Sequence, residues 1–550
     1  MKNKHIALFF EAKNKLLSII LAFLSSLMQF IGISLIYPFV VILFDIQTNS
    51  ELIEKIFNYL DFLNLPNTKY WLLFYCGTCI LMTAILSFLY RIVISYSAFN
   101  YLGRLRIKIL DYFLKSKFLN SSDSLSKFKN SLIILSMDSC NTLLNQFNIT
   151  EKLFSIFFLI ILALNFSPLL LLITLIVALI VFLIFSLLLK IIADLQKKLN
   201  FINERLINLS DSITRNFKYV KSLGYKNFLP ESINNFIFKY NNQHIRFTIL
   251  NKFTKTFREP ISLIALIIIF YFGLEIFRIE VAVLIITFFI MRRIFADIMV
   301  MVTQFQSYKK SYTAHEYCQN FIDVIEKDQE NSGQVKISKI NSINFVNVRL
   351  DFEKSIFKKL NLNFKSNETY LLKGDSGTGK TSLMMLLMGI YQSNSGEVNF
   401  NNINIKEIDL YDLRTKFSYI DQQNSIFDIS LRENLKLKNN NISDSELLEI
   451  LKEFKLDFDQ KALDKPVNES ISNFSGGQIQ RINFIREIIS GSEVFIFDEF
   501  TSNLDYENTN LIINYIKNKM KDKLILISSH QKEYLEFVKY ILDFNNSNIE

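Results

Sequence analysis

The stretch from Gly374 to Thr381 reads GDSGTGKT, which fits the spacing G-x-x-x-x-G-K-[ST]. Before it stands the β-favouring run from Thr369 to Lys373, TYLLK, and after it SLMMLLMG, from Ser382 to Gly389, a good helix former. A strand, a glycine-rich turn and a helix start are what a nucleoside triphosphate needs. Glycines let the backbone curl so that successive N–H groups face the phosphates, and the helix N-terminus adds the positive end of its dipole. Lys380 is placed to reach the β- and γ-phosphates, and the Thr381 hydroxyl to hold Mg²⁺. Gly374, Asp375, Ser376, Gly377, Thr378, Gly379, Lys380, Thr381 and Ser382 are therefore the candidate nucleotide contacts. A glycine-rich turn without catalytic meaning is the competing reading, and the residues downstream decide between the two.

Val494 to Phe497 is a four-residue hydrophobic run leading into Asp498 and Glu499. A buried strand ending in a carboxylate places Asp498 to reach Mg²⁺, and Glu499 to polarise an attacking water as general base. Between the two motifs lies FSGGQIQR, from Phe474 to Arg481. Its serine and paired glycines open a segment of helical period, a second N-terminus suited to phosphate.

The 550 residues exceed one domain, and their composition is divided. Half are hydrophobic and 53 are Phe, yet 21% are charged, because an apolar N-terminal part precedes a more polar C-terminal part. The net charge of +9 does not mark a nucleic-acid binder: the basic residues sit mainly between apolar spans, where the positive-inside rule places them. The run from Leu16 to Phe44 outlasts the ~20 residues that cross a bilayer. It is too long for a signal-peptide core and has no small-residue cleavage site, so it is expected to be retained. Further spans are expected at 70–95, 153–164, 169–189, 261–277 and 281–300, six in all, with both ends cytoplasmic. Residues 190–258 carry thirteen Lys or Arg against four acids, which suits a cytoplasmic excursion. Residues 1–325 thus read as a membrane domain, 326–341 as a polar linker and 342–550 as a soluble α/β domain. Cys76-x-x-Cys79 has metal or redox spacing, but in an apolar run without other ligands it reads as membrane packing.

Together these motifs resemble the ATP-binding cassette (ABC) transporters, specifically their half-exporters. FSGGQIQR is similar to that superfamily's signature. The resemblance covers nearly the whole chain and implies a multidomain protein, an all-α six-helix transmembrane domain followed by an α/β P-loop NTPase domain. It implies ATP and Mg²⁺ as cofactors, with Gln422 as the glutamine that joins Thr381 and Asp498 at the metal. It makes Asp505, in Ser502-Asn-Leu-Asp505, part of the D-loop. His530 becomes the switch histidine, Phe352 the ring that stacks on adenine, and Glu469 the acid before the signature that faces the membrane domain. Lys380, Glu499 and His530 form the catalytic set. Ser475, Gly476, Gly477 and Gln478 would close on the nucleotide of a second subunit. Phe352 and Phe474 stand where Tyr and Leu are usual, Asn503 where Ala is common and Asn468 where Gly is usual; none of these removes a catalytic group. Two copies of the chain would give two complete sites, so the expected partner is a second copy, within a bacterial inner membrane with the ATPase domain cytoplasmic.

Ionisable residues inside spans point to the cargo, since each costs about 2.5–3.5 kcal/mol on insertion scales. Arg293 and Asp297 are four residues apart and can neutralise each other. Arg292 lies about 100° around the helix from that pair, and Arg91 has no acid within a turn. Two arginines facing a cavity suit a phosphate headgroup. The run from Ile33 to Phe39 with Arg91 resembles lipid-linked oligosaccharide flippases, so the expected cargo is an amphipathic, anionic, lipid-linked molecule. The alternatives are a peptide or bacteriocin exporter and, more remotely, an ATP-gated channel or regulatory subunit.

Overall fold

The computed structural model describes residues 13–43, 51–117, 122–166, 168–222, 231–275, 281–352, 355–421, 425–467, 474–501, 504–529 and 532–545. They form two compact units, one from Met1–Lys115 and Ser121–Lys327, the other from Ser116–Asn120 and Asp328–Glu550.

The first unit is helical. Its helices are α1 (Lys15–Leu43), α2 (Glu51–Phe62), α3 (Lys69–Lys115), α4 (Ser122–Asn130), α5 (Ser136–Phe166), α6 (Pro168–Arg215), α7 (Phe217–Ser222), α8 (Glu231–Glu275) and α9 (Val281–Lys327). Helix α3 has 47 residues and so runs about 70 Å, more than twice a ~30 Å hydrocarbon core. The apolar runs of the sequence are therefore segments of longer helices. Three described helical stretches, Lys15–Leu43, Lys69–Lys115 and Lys127–Phe166, are long and apolar enough to cross a membrane. Much of their apolar surface stays outside the packing: Phe74, Leu81, Ile85, Phe88 and Ile92 of α3 are all exposed.

Helix α1 buries a stripe of small residues, Ser18, Ala22, Ser25, Ser26 and Gly32, and packs on α3. In lipid the attraction between helices comes from close backbone approach. A Cβ added to Gly32 would stand 3.1 Å from Cβ of Cys79. Cys76 and Cys79 are free thiols, consistent with packing. Helices α5 and α9 also pack along each other.

Between α4 and α5, Ser131–Leu135 form a π turn whose flanking residues both keep right-handed helical dihedrals. The wider turn displaces carbonyls from the α ladder, and Arg106 of α3 collects them. Its Nε donates to Leu132 O at 3.1 Å and to Ser136 Oγ at 3.2 Å, and an Nη donates to Ile133 O at 3.4 Å.

The second unit holds two sheets. The antiparallel one has the order β2-β1-β4-β5, with β1 Ser342–Asp351, β2 Ser355–Lys365, β4 Ser395–Phe400 and β5 Ile403–Asn404. The other, in the order β6-β7-β8-β3-β9, is parallel throughout and comprises β3 Thr369–Lys373, β6 Phe417–Ile420, β7 Val494–Asp498, β8 Leu524–Ser528 and β9 Tyr540–Asp543. All five residues of β7 and of β8 are buried, as expected of parallel strands covered on both faces. Ligands of such sheets bind beyond the carboxyl ends of the strands, and β3 and β7 end there in the phosphate loop and in Asp498.

The expected linker at 326–341 is not free. Helix α9 continues to Lys327, and the following residues strap onto the second unit. The carboxylate of Glu330 takes two bonds from Arg414, at 2.7 and 2.9 Å. The N–H of Gly333 donates to Ile408 O at 2.9 Å, and that of Asp409 to Val335 O at 2.8 Å. Ile337 and Ile340 are 5% and 2% exposed. The polar composition of the segment hid these two anchors.

Candidate functional site

Helix α10 (Lys380–Leu387) starts at Gly379, whose φ is 101°. A Cβ there would come within 2.8 Å of Ile356 Cγ2 and Phe357 Cζ. Only glycine fits, and the contact sets the β1–β2 hairpin, which carries Phe352, against the phosphate loop. Lys380 is buried. Its Nζ donates to the carbonyls of Gly374 and of Asp375, the latter at 2.9 Å, so the ammonium is held inside the loop where phosphate oxygens would replace carbonyls. Asp375, Ser376 and Gly377 are exposed at the loop's tip, Thr378 and Gly379 half-buried.

Thr381 Oγ1 donates to Asp498 Oδ2 at 2.9 Å, joining the first turn of α10 to the end of β7. Burial pushes the Asp498 carboxyl above its ordinary value, and the Thr381 bond offsets part of that. The next residue, Glu499, takes a φ of 48°, a left-handed conformation that costs a non-glycine residue about 1–3 kcal/mol and gathers at functional sites. Its N–H donates to Ser528 O at 2.9 Å, anchoring the bend to the end of β8.

Phe352, 56% exposed, leaves a ring face for a base. Its other neighbour is Tyr391, at 5.1 Å between centroids in a T-shaped contact. A cavity of about 180 Å³ lies beside the pair, lined also by Leu350, Ile390, Gln392 and Asn394. Tyr391 was not singled out from the sequence; it follows α10 in the turn that returns the chain to β4.

Helix α11 (Gly476–Ile488) begins in the signature. Ser475 and Gln478 form a capping box: Ser475 Oγ accepts from Gln478 N at 3.2 Å, and Gln478 Oε1 accepts from Ser475 N at 2.9 Å. Ser475 and Gly476 are exposed, and a Cβ on Gly476 would meet nothing within 4 Å. Gly477 O accepts from Arg481 Nε at 3.3 Å. Asp505 caps helix α12 (Tyr506–Lys519) by accepting from Asn508 N at 2.8 Å. Asn508 Oδ1 in turn accepts from Arg481 Nη1 at 3.1 Å, linking the D-loop to the signature helix. Lys380, Thr381 and Asp498 are thus brought together, while the signature's polar groups are engaged within its own first turns. Gln422, Glu469, Ser502, Asn503 and His530 lie outside the described residues.

In the helical unit Asp297 is 3% exposed. Its carboxylate accepts from Ser155 Oγ at 2.6 Å and pairs with Lys152 at 3.1 Å and Arg293 at 3.4 Å. The expected Arg293–Asp297 pair is therefore half of a triad, and Lys152 was not foreseen. Arg91 and Arg292 are exposed on α3 and α9.

A phosphate loop on a parallel sheet, with a hydroxyl and a carboxylate meeting beside it, defines a P-loop nucleotide-binding protein. Residues 357–502 match the ABC transporter family and residues 15–296 the ABC transporter transmembrane region, and the chain belongs to the ABC transporter family. It is similar to the microcin-J25 export ATP-binding/permease protein of Escherichia coli, 33% identical over 200 residues, 36% of this chain and 34% of that protein. It is also similar to the lactococcin-A transport/processing ATP-binding protein of Lactococcus lactis, 30% identical over 241 residues, 42% of this chain and 33% of that protein. The chain thus spans about a third of the length of the relatives it matches. The metal resistance protein YCF1 of Saccharomyces cerevisiae is 33% identical over 180 residues, 12% of its length.

Proposed function

We propose that the chain is one half of an ATP-driven exporter, hydrolysing ATP at the loop Gly374–Thr381 to move an amphipathic cargo across a bacterial inner membrane. The observation that carries this reading is the meeting of Thr381 with Asp498 at 2.9 Å, beside the buried Lys380, in a chain that also holds a transmembrane region. A hydroxyl and a carboxylate are hard oxygen donors, the kind Mg²⁺ takes one or two at a time alongside substrate phosphates. Thr381 and Asp498 would hold that ion, with Gln422 assigned beside them by resemblance; the ion's part is to neutralise charge on the transferred phosphoryl group. Lys380 would turn from the loop carbonyls to the phosphates, Phe352 would stack on the base, and Glu499 would take a proton from the attacking water.

The exposed start of the signature, Ser475 and Gly476, supports assembly with a second copy whose phosphate loop Ser475 to Gln478 would close. The membrane unit would cross six times, with α1, α3, α5, α6, α8 and α9 contributing one span each. For the cargo, relatives named for microcin-J25 export and for lactococcin-A transport and processing support a peptide better than the lipid-linked oligosaccharide expected from Ile33–Phe39. Arg292, roughly 18 Å below the outer end of its span at 1.5 Å per residue, and Arg91 near the inner headgroups would then meet an anionic group of that peptide.

The test is ATPase stimulation and uptake in proteoliposomes, using amphipathic peptides and phosphate-bearing lipids as separate arms. Stimulation and uptake by acidic peptides, reduced in Arg292→Ala, are expected. Stimulation by the lipid arm alone would return the cargo to the lipid-linked class. Ion conductance without cargo movement would make the protein a channel.

A further inference from the structure

We infer that Asn545, just beyond the last strand of the parallel sheet, is a positioning residue for the phosphate loop, acting on Lys380 through the Gly374–Asp375 peptide. Asn545 Oδ1 accepts a hydrogen bond from the backbone N–H of Asp375 at 2.9 Å. The carbonyl of Gly374, which accepts from Lys380 Nζ, belongs to the same peptide unit. In a trans peptide the N–H and C=O point in opposite directions across one rigid plane. That plane is therefore gripped at both ends, by Asn545 outside the loop and by Lys380 within it.

The surroundings make the grip specific. Gly374 adopts a φ of 154°, and a Cβ there would come within 2.9 Å of Phe544 Cβ and Thr378 Oγ1. Asn545 is itself placed: its N–H donates to Asp543 Oδ1 at 3.0 Å, and the N–H of Phe544 donates to Lys373 O at 2.8 Å, extending the β9–β3 pairing to the mouth of the loop. Asp375 O is held from inside, accepting from Thr378 Oγ1 at 2.9 Å and Lys380 Nζ at 2.9 Å. The Asp375 amide is thus turned away from the phosphates and fixed to the C-terminal strand.

The consequence falls on nucleotide affinity. When Lys380 leaves the Gly374 carbonyl for a phosphate, the inner grip on this peptide is released and Asn545 supplies the one that remains. Without it the loop must be ordered by the nucleotide itself, which weakens binding but leaves the filled site able to react.

This inference rests on reading Gly374–Thr381 as the nucleotide site, and the experiment separates the two. The full-length protein in nanodiscs is titrated with a fluorescent ATP analogue, its steady-state ATPase activity is measured, and exchange of the Asp375 amide is followed by hydrogen–deuterium exchange. Asn545→Ala is expected to raise the KM for ATP about three- to ten-fold, the range of one net hydrogen bond, with kcat within about two-fold of the parent. It should also speed exchange at Asp375. Asn545→Asp keeps an acceptor at the same place and is expected to keep Asp375 protected, with nucleotide affinity near the parent's at high salt, where its added charge is screened. A parent protein that binds no nucleotide overturns the site itself. A parent that binds, with Asn545→Ala unchanged in KM and in Asp375 exchange, overturns the role of Asn545. A loss of thermal stability with unchanged KM makes Asn545 structural only and also overturns it.

Discussion

Lys152 Nζ lies 3.1 Å from Asp297 Oδ1, tying α5 to α9 across a carboxylate that is 4% exposed at its side chain. Breaking one side of a buried pair costs about 3–5 kcal/mol, whereas replacing both partners by apolar groups is often neutral. Asp297→Leu is therefore expected to lower unfolding stability by about that amount, and Lys152→Met combined with Asp297→Leu to recover the part that Lys152 carries, with Arg293 left without its carboxylate. Denaturant titrations in bicelles read the difference. Equal losses in the single and double variants would mean that the pair is not coupled.

Glu499 follows Asp498 with its backbone already bent to φ 48°. If it is the general base, Glu499→Gln keeps ATP binding and loses turnover by roughly 10²–10⁴-fold. Single-turnover hydrolysis beside nucleotide binding checks this; near-parental hydrolysis would remove Glu499 from the role.

A carboxylate holds Mg²⁺ only when ionised, and burial pushes the Asp498 carboxyl above its ordinary value. A raised value means that protons compete with the metal at a higher pH than for an ordinary carboxylate near about 3.9. The gain in ATP affinity on adding Mg²⁺ should shrink as the solution is acidified, by more in the parent than in Asp498→Asn, which has no carboxyl to protonate there. Titrations with and without a chelator measure the gain; identical pH profiles in the two proteins would sink the assignment.

Glu330 fastens the strap before β1 through both oxygens to Arg414, whose Nε also donates to Met388 O at 3.1 Å. Glu330→Ala leaves that guanidinium without its carboxylate, and the second unit should lose about 2 kcal/mol. Calorimetry would show its transition shifted down with the helical unit's unchanged.

The sequence announced what is local. The phosphate loop, the strand before Asp498 and the serine–glycine cap at Ser475 each fit within a dozen residues, where spacing and side-chain chemistry coincide. The long apolar runs declared the helical half, though not how far each helix continues once its surroundings turn polar. What stayed hidden was long-range. Ser155 and Asp297 meet across 142 positions, and Asp375 and Asn545 across 170. No periodicity connects such partners. The strap at 328–341 was missed for a related reason: two buried isoleucines in a polar run carry too little hydrophobic signal to declare a docked segment.

The π turn at Ser131–Leu135 has a consequence for how this gene can change length. A π turn holds one residue more than an α turn without altering the phase of the helix on either side. Losing any one of those five codons would let the helix close into α geometry with both flanks still facing the same way. The same loss elsewhere in α5 would swing everything beyond it by about 100°, turning its packed face into lipid. Arg106 would register the event through the carbonyls it now collects, as would Ser136 and Ser139, whose hydroxyls donate to Leu132 O and Leu135 O. In descendants of this chain, single-residue deletions in the helix should concentrate here.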